Sequence, residues 1–325
     1  MRNWQEILNE IMNFLVTGAA GFIGYEVCMQ LSNAGHNVIA LDGLVEGLYG
    51  KTEKLSRFKN LERMHKVQTV ELDLSRDDLS LLNNFKPIDI VIHLAAMPGL
   101  QKSWELFNQY VYSNIIATER LARFFSEKEL TRFIHISTSS VYGKYANGDE
   151  NSVLAPVSPY GVTKLAAEGL LNSYYASYGL PLVILRYFSV YGPGQRPDMA
   201  YRRFITSALK SEPLTIYGNG DQIRTNSYVS DIARWTANAA RFANSGDIVN
   251  LSGSRAVTIN DVCQILENLL QKKLTYQYQT RPFGDQNETR GNIDLAKQLE
   301  IWDYETDIRV GLEAQIEWQK QVKLY

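Results

Sequence analysis

Thr17-Gly18-Ala19-Ala20-Gly21-Phe22-Ile23-Gly24 follows the apolar run Phe14–Thr17 and precedes a helical pattern over residues 24–34. Glycines three apart permit a tight turn and let the backbone approach a pyrophosphate closely. The helix that follows would aim unpaired N–H groups and a partial positive charge at the same place. A glycine loop alone is a weak signal, and its placement between strand and helix is what makes it specific. The next apolar run, Val38–Asp42, ends in a carboxylate. Asp42 at that position would accept hydrogen bonds from adenosine ribose hydroxyls and repel a 2′-phosphate, which favours NAD over NADP. The alternative is that it caps the following turn. Asp73 and Leu74, after a third run, would either contact an adenine or form a turn.

Further strands are expected at 67–72, 88–94, 133–137 and 182–188, with helices over 109–128 and 160–178. Short continuous apolar strands alternating with helices imply a parallel sheet covered on both faces, a doubly wound α/β (Rossmann) fold. After Tyr191-Gly192-Pro193-Gly194 the alternation weakens. The expected organisation is an N-terminal extension over 1–12, a dinucleotide-binding domain over 13–192 and a smaller C-terminal α/β substrate domain over 193–325. A helix near 228–244 and a strand at 248–251 are expected to return to the main sheet.

The chain has 325 residues, 45% of them hydrophobic and 21% charged, ordinary values for a water-soluble protein. A net charge of −2 excludes a bulk basic field for nucleic acid. Cys28 and Cys263 belong to no paired motif, so neither a metal site nor a disulfide framework is expected, and the compartment reads as reducing and cytoplasmic. No apolar run reaches membrane-spanning length. Residues 1–12 read as a short terminal helix or a translation-start artefact, with a membrane or partner-binding helix as the sharper alternative.

Tyr160-Gly161-Val162-Thr163-Lys164 is a Y-x-x-x-K motif behind Ser158-Pro159, an N-cap and first-turn proline. The spacing puts Tyr160 and Lys164 on one helix face. A nearby ammonium would lower the tyrosine pKa, and the phenolate would serve as a general base on a hydroxyl. By spacing alone a solvated helix face is the more common outcome. The segment His135-Ile136-Ser137-Thr138-Ser139-Ser140-Val141-Tyr142-Gly143 changes that weighting. It ends a strand with consecutive hydroxyls, and open α/β sheets bind ligands at the carboxyl ends of their strands. Those hydroxyls would orient a sugar oxygen, or cap a turn.

Taken together, the glycine loop, Asp42, His93-Leu94-Ala95-Ala96, Asn114, the 137–143 segment, Tyr160/Lys164 and Arg186–Pro193 resemble the extended short-chain dehydrogenases/reductases. Within them the chain resembles the NAD-dependent nucleotide-sugar epimerases and dehydratases. The resemblance implies that Gly18, Gly21, Phe22, Ile23 and Gly24 hold the NAD pyrophosphate and Asp42 its ribose. It places Asp73, Leu74, Leu94, Ala95, Ala96 and Asn114 around the rest of the cofactor, with Lys164 on the nicotinamide ribose. Tyr160 would be the base, and Thr138 would share the hydrogen bond to the reacting hydroxyl. Pro98, Gln101, Ser139, Ser140, Tyr187, Ser189, Gln195, Arg196, Tyr217, Arg224, Arg281 and Asp285 would contact a UDP-linked sugar. Arg224 is expected on the diphosphate, with a surface cation as the alternative for it and for Arg281. A homodimer through the long helices is the family expectation.

The segments 96–104 and 191–200 look most like uronate 4-epimerases, in which hydroxyls at 138–140 would donate to a sugar carboxylate. Dehydratases and decarboxylases place a carboxylate in the strand-end segment, which here reads Thr138-Ser139-Ser140, so C4 inversion is the simplest outcome. Gln101 departs from the pattern, because those enzymes carry arginine there. UDP-glucuronate is the leading substrate. UDP-glucose or UDP-N-acetylglucosamine epimerisation, decarboxylation or dehydration on the same scaffold, and a non-catalytic NAD-binding scaffold are the alternatives.

Overall fold

The apolar runs lie side by side as parallel strands. β1 (Asn13–Thr17), β2 (Asn37–Asp42), β3 (Val67–Glu71), β4 (Ile90–His93), β5 (Arg132–Thr138), β6 (Leu182–Tyr187) and β7 (Ile248–Leu251) form one seven-stranded sheet. Its order is β7-β6-β5-β4-β1-β2-β3. This computed structural model describes residues 10–47, 50–281, 286 and 288–322.

Successive side chains in a strand point to opposite faces, and here both faces are covered. Val16, Ile92, Ile134 and Leu185 join one core, with Val27 of the Phe22–Asn33 helix and Trp235 of the Val229–Phe242 helix. Leu15, Val91, Phe133 and Ile184 join the other, with Leu121, Phe125 and Leu171. Strand order reverses between β1 and β4, and ligands bind in the crevice at such a switch point. The Val229–Phe242 helix packs on Phe22–Asn33, and β7 pairs with β6 in parallel.

The Pro159–Tyr178 helix starts as its sequence dictates. Gly161 N donates to Ser158 Oγ (3.2 Å), Pro159 occupies the first turn, and Gly179 closes the helix at φ 69°. The expected continuous helix over 109–128 is not what forms. The chain runs through Lys102–Glu105, Phe107–Tyr110, a π-helical stretch Val111–Ile116 and then Ala117–Ser126. The wide turn carries Asn114 inward, where its Oδ1 accepts from Met97 N (2.7 Å) and its Nδ2 donates to Met97 O (3.1 Å) and Thr163 Oγ1 (3.0 Å). Periodicity cannot announce such a bulge, because its cause is a loop elsewhere in the chain. The Lys51–Glu62 helix also went unsignalled, since it is mostly polar and buries only Arg57, Phe58 and Leu61.

The remaining strands build smaller sheets. Ile223–Tyr228 pairs with Ala256–Thr258, with Glu288–Thr289 and with Ser189–Tyr191, while Leu214–Tyr217 pairs with Tyr276–Gln279. They cover a separate core that includes Phe204, Ile216, Val262, Leu266 and Leu312. Among the described residues no helix is long and apolar enough to cross a membrane. Most of the 1–12 extension lies outside the described residues.

Candidate active site

The glycine loop is a place where backbone meets backbone. Gly18 has φ +71°, and a Cβ on it would stand 2.8 Å from Ala95 N at the end of β4. A Cβ on Gly24 would meet the Gly18 carbonyl oxygen at 2.2 Å, and one on Gly21 the same oxygen at 2.9 Å. Glycine is therefore required for the Phe22–Asn33 helix to begin this close to β1, with its N-terminal N–H groups at the cleft. Asp42 Oδ2 accepts from Ala20 N (3.0 Å) and Oδ1 from Leu44 N (2.8 Å), with Lys54 Nζ 4.0 Å away. The carboxylate thus caps its turn and also lines the cleft, and each oxygen retains a lone pair for a ribose hydroxyl. Asp73 is a turn residue as well, accepting from Ser75 N (2.9 Å) and Ser75 Oγ (2.7 Å) and pairing with Arg76 (2.9 Å).

These residues wall a cleft of about 350 Å³ that runs from the glycine loop past Leu94–Ala96 and Pro98 to Thr138, Tyr160 and Lys164. A cradle that rejects Cβ atoms, a helix N-terminus and a carboxylate at the end of β2 are what a dinucleotide requires, so the residues fit NAD.

Tyr160 sits part-buried on the cleft wall, its ring edge-on to Tyr110 at 6.2 Å. The expected drop in its pKa is not found. Burial raises it, and a hydrogen bond from Thr138 and the charge of Arg196 oppose the rise. Lys164 is only 2% exposed, and its Nζ lies 3.1 Å from His135 Nε2. Burial presses its pKa down to about 7, with Glu168 acting against that. A lysine this deep is a weakened cation, which is why spacing alone overstated its pull on the tyrosine.

Behind Lys164 stands a fully buried polar frame. Glu168 receives Arg186 through Nε (3.1 Å) and Nη2 (2.8 Å) and is also hydrogen-bonded by the Ser137 hydroxyl. Arg186 Nη1 donates to Tyr142 Oη (2.9 Å), which donates to Asn250 Oδ1 (2.8 Å). A second chain fixes the end of β4. Ala95 N donates to Thr17 Oγ1 (3.1 Å), Thr17 donates to His93 Nδ1 (2.8 Å), His93 Nε2 donates to Thr118 Oγ1 (2.9 Å), and Thr118 donates to the Asn114 carbonyl (2.7 Å). Burial, helped by the Lys164 charge, holds the His93 pKa near 3, so the ring is neutral.

Residues 14–252 match the NAD dependent epimerase/dehydratase family. The chain belongs to that family. It is 40% identical to YtcB of Bacillus subtilis, whose name is uncharacterized UDP-glucose epimerase, over 94% of this chain and 97% of that one. A UDP-glucuronate 4-epimerase of Thermodesulfobacterium geofontis is 36% identical, over 95% and 96%. The crystal structure of UDP-glucuronic acid 4-epimerase from Bacillus cereus, in complex with UDP-glucuronic acid and NAD, superposes with a TM-score of 0.91 at 39% identity, covering 96% and 100%.

The cofactor-side residues of this family member converge: all those expected except Asn114 line the cleft, and Asn114 is buried behind it, holding the Met97 backbone. The substrate side is less orderly. Thr138, Pro98, Tyr187, Ser189 and Arg196 line the cleft, the last paired with Asp198 at 2.9 and 2.8 Å. Ser139 and Ser140 are buried in a short 3-10 turn outside the lining, with Ser140 N donating to Thr138 Oγ1 (3.2 Å). Gln195 is 2% exposed and buried in the C-terminal part, donating to Val190 O (3.0 Å) and accepting from Arg202 N (2.9 Å). Gln101 is exposed at the start of Lys102–Glu105. Arg224 donates to the carbonyls of Ile223 (2.9 Å) and Gln286 (2.5 Å). Arg281 packs over Gly218, and Tyr217 lies under Arg203 at 5.5 Å. All of these stand beyond the lining, and Asp285 lies outside the described residues. Lys54, Met97, Ser113, Ser137 and Met199 line the cleft although none was expected as a site residue. Ser137 carried a signal as the first hydroxyl of the strand-end run, and Met97 and Met199 lay in the segments 96–104 and 191–200.

Proposed function

We propose that this chain interconverts UDP-glucuronate and UDP-galacturonate by inversion at C4. The observation that carries the reading is that Tyr160, Thr138, Lys164 and Arg196 share one cleft with the glycine cradle and Asp42. Gly18, Gly21, Gly24 and Asp42 would hold NAD, which would supply the hydride acceptor and donor that inversion at C4 requires. Tyr160 takes the proton of the 4-hydroxyl and gives it back after the sugar has turned. Thr138, hydrogen-bonded to Tyr160, orients that hydroxyl. Lys164 supports the phenolate and the nicotinamide ribose. Arg196, paired with Asp198, lines the same cleft and would supply the cation that Gln101 lacks, with Ser189 adding a hydroxyl to the same wall. The B. cereus complex with UDP-glucuronic acid and NAD and the T. geofontis enzyme support this choice of substrate.

A second reading, epimerisation of UDP-glucose, is favoured by the name of the B. subtilis relative and by Gln101. Incubation with each sugar nucleotide, with mass and anomeric NMR readout, separates the readings. Product of unchanged mass from UDP-glucuronate and none from UDP-glucose supports the first. Loss of carbon dioxide or water, or turnover of UDP-glucose alone, overturns it. We further propose a cytoplasmic homodimer. The exposed Tyr112, Ile116 and Val162, on the packed 111–126 and 159–178 helices, are suited to a second copy, and light scattering at micromolar concentration tests it.

A further inference from the structure

We propose that His135 is a positioning residue for Lys164, fixing the direction of its ammonium group and the pH range in which it stays charged. The inference rests on the reading of Lys164 as the cation that serves Tyr160.

His135 stands on β5, fully buried, in register with His93 of β4 and Ile184 of β6. Its Nε2 lies 3.1 Å from Lys164 Nζ. The neighbouring His93 ring, 5.5 Å away, has no nitrogen to offer, because Thr17 and Thr118 occupy both. To accept from an ammonium, His135 must leave Nε2 bare and carry its proton on Nδ1. That Nδ1 is buried and has no partner among the described residues. A buried N–H without a partner is rare and calls for a reason. Phe133, Ile134 and Ile136 on the same strand show that this stretch accommodates apolar side chains. What the imidazole adds over a plain ring is an acceptor for Lys164.

The other groups facing Lys164 do not replace it. Glu168, one turn further along the same helix, is held by Arg186 from β6 and by Ser137 from β5. Tyr160 lies one turn back on the cleft wall, and His93 faces from β4. Burial presses the lysine toward its neutral form, with a pKa of about 7. A neutral acceptor bonded to the ammonium works against that pressure and keeps the charge in place at working pH.

Steady-state kinetics of the NAD-loaded enzyme against pH, with UDP-glucuronate, for wild type, His135→Phe and His135→Gln test the assignment. Phenylalanine keeps the ring volume without an acceptor, whereas the glutamine amide oxygen supplies an acceptor with a different shape. Expected for His135→Phe are a fall in kcat of roughly tenfold, KM within about twofold, and an alkaline limb shifted about one pH unit lower. His135→Gln should return the limb toward wild type. A wild-type profile in His135→Phe, or equal losses in both variants with the limb unmoved, would reduce His135 to packing and overturn the proposal. A second measurement needs neither variant nor substrate. The chain has four histidines, so 15N NMR of histidine-labelled wild-type protein resolves them. His135 should carry its proton on Nδ1 from pH 6 to 7, and a proton on Nε2 across that range overturns the proposal whichever sugar the enzyme takes.

Discussion

The two walls of the cleft are built differently. The wall after β1 and β2 is made largely of backbone: a glycine turn, the first N–H groups of a helix and the capped end of a strand. The wall reached from β5, the 159–178 helix and the 189–199 segment is made of side chains delivered by separate elements. A backbone site is written in consecutive residues, and Gly18, Gly21, Phe22, Ile23 and Gly24 of the glycine motif all line the cleft. A side-chain site depends on which element faces which, and only part of the expected substrate set reached it.

Substitutions on the two walls should therefore fail in different ways. Tyr160→Phe is expected to lower kcat by about a thousandfold, within the range of a lost general base, while NAD content and Tm stay at wild-type values. Full activity in this variant would remove the chemistry from the side-chain wall. Gly24→Ala should act on the other wall. Its methyl group would stand 2.2 Å from the Gly18 carbonyl, so a shift costing about 2 kcal/mol is expected, visible as a lower Tm and release of NAD on gel filtration. Arg196→Ala should raise KM for UDP-glucuronate about tenfold with less effect on a neutral sugar nucleotide; an equal loss for both would show that the arginine does not read a carboxylate.

Stability against pH sharpens the comparison further. The Lys164 pKa in the folded protein is about 7, below the ordinary lysine range. Between pH 7 and about 10 the unfolded chain therefore binds a proton that the folded one does not, so native stability rises with pH across that window and falls as pH drops back to 7. Lys164→Met removes this dependence. The variant should melt a few degrees above wild type at pH 6, and the difference should vanish toward pH 10 in a calorimetric series. The smallest effect is reserved for Gln101→Arg, a change of roughly threefold or less in KM, because Gln101 is exposed and stands outside the lining.

Patterns of short range carried most of the fold. Apolar runs of four to seven residues became β1 to β7, and Ser158-Pro159 and Gly179 bounded the central helix where local chemistry required. The π-helical stretch at Val111–Ile116 left no such mark, because it answers to the Met97 backbone. Gln195 and Ser140 read as ligands from their motifs, yet one accepts from Arg202 N in the C-terminal part and the other lies buried in a turn that Thr138 caps.

By itself, then, the order of residues determined the parallel sheet, the glycine cradle, the carboxylate at the end of β2 and the presence of Tyr160 and Lys164 on one helix face. These follow from steric freedom at glycine and from periodicity, which act over a few residues. Only the tertiary structure decided the electrostatics. It buried Lys164 until its charge became conditional, set His135 against it from β5, and brought Arg196 rather than Gln101 into the cleft with the tyrosine. Desolvation and charge pairing depend on what surrounds a group in space, and that is settled when strands from opposite ends of the chain are laid together.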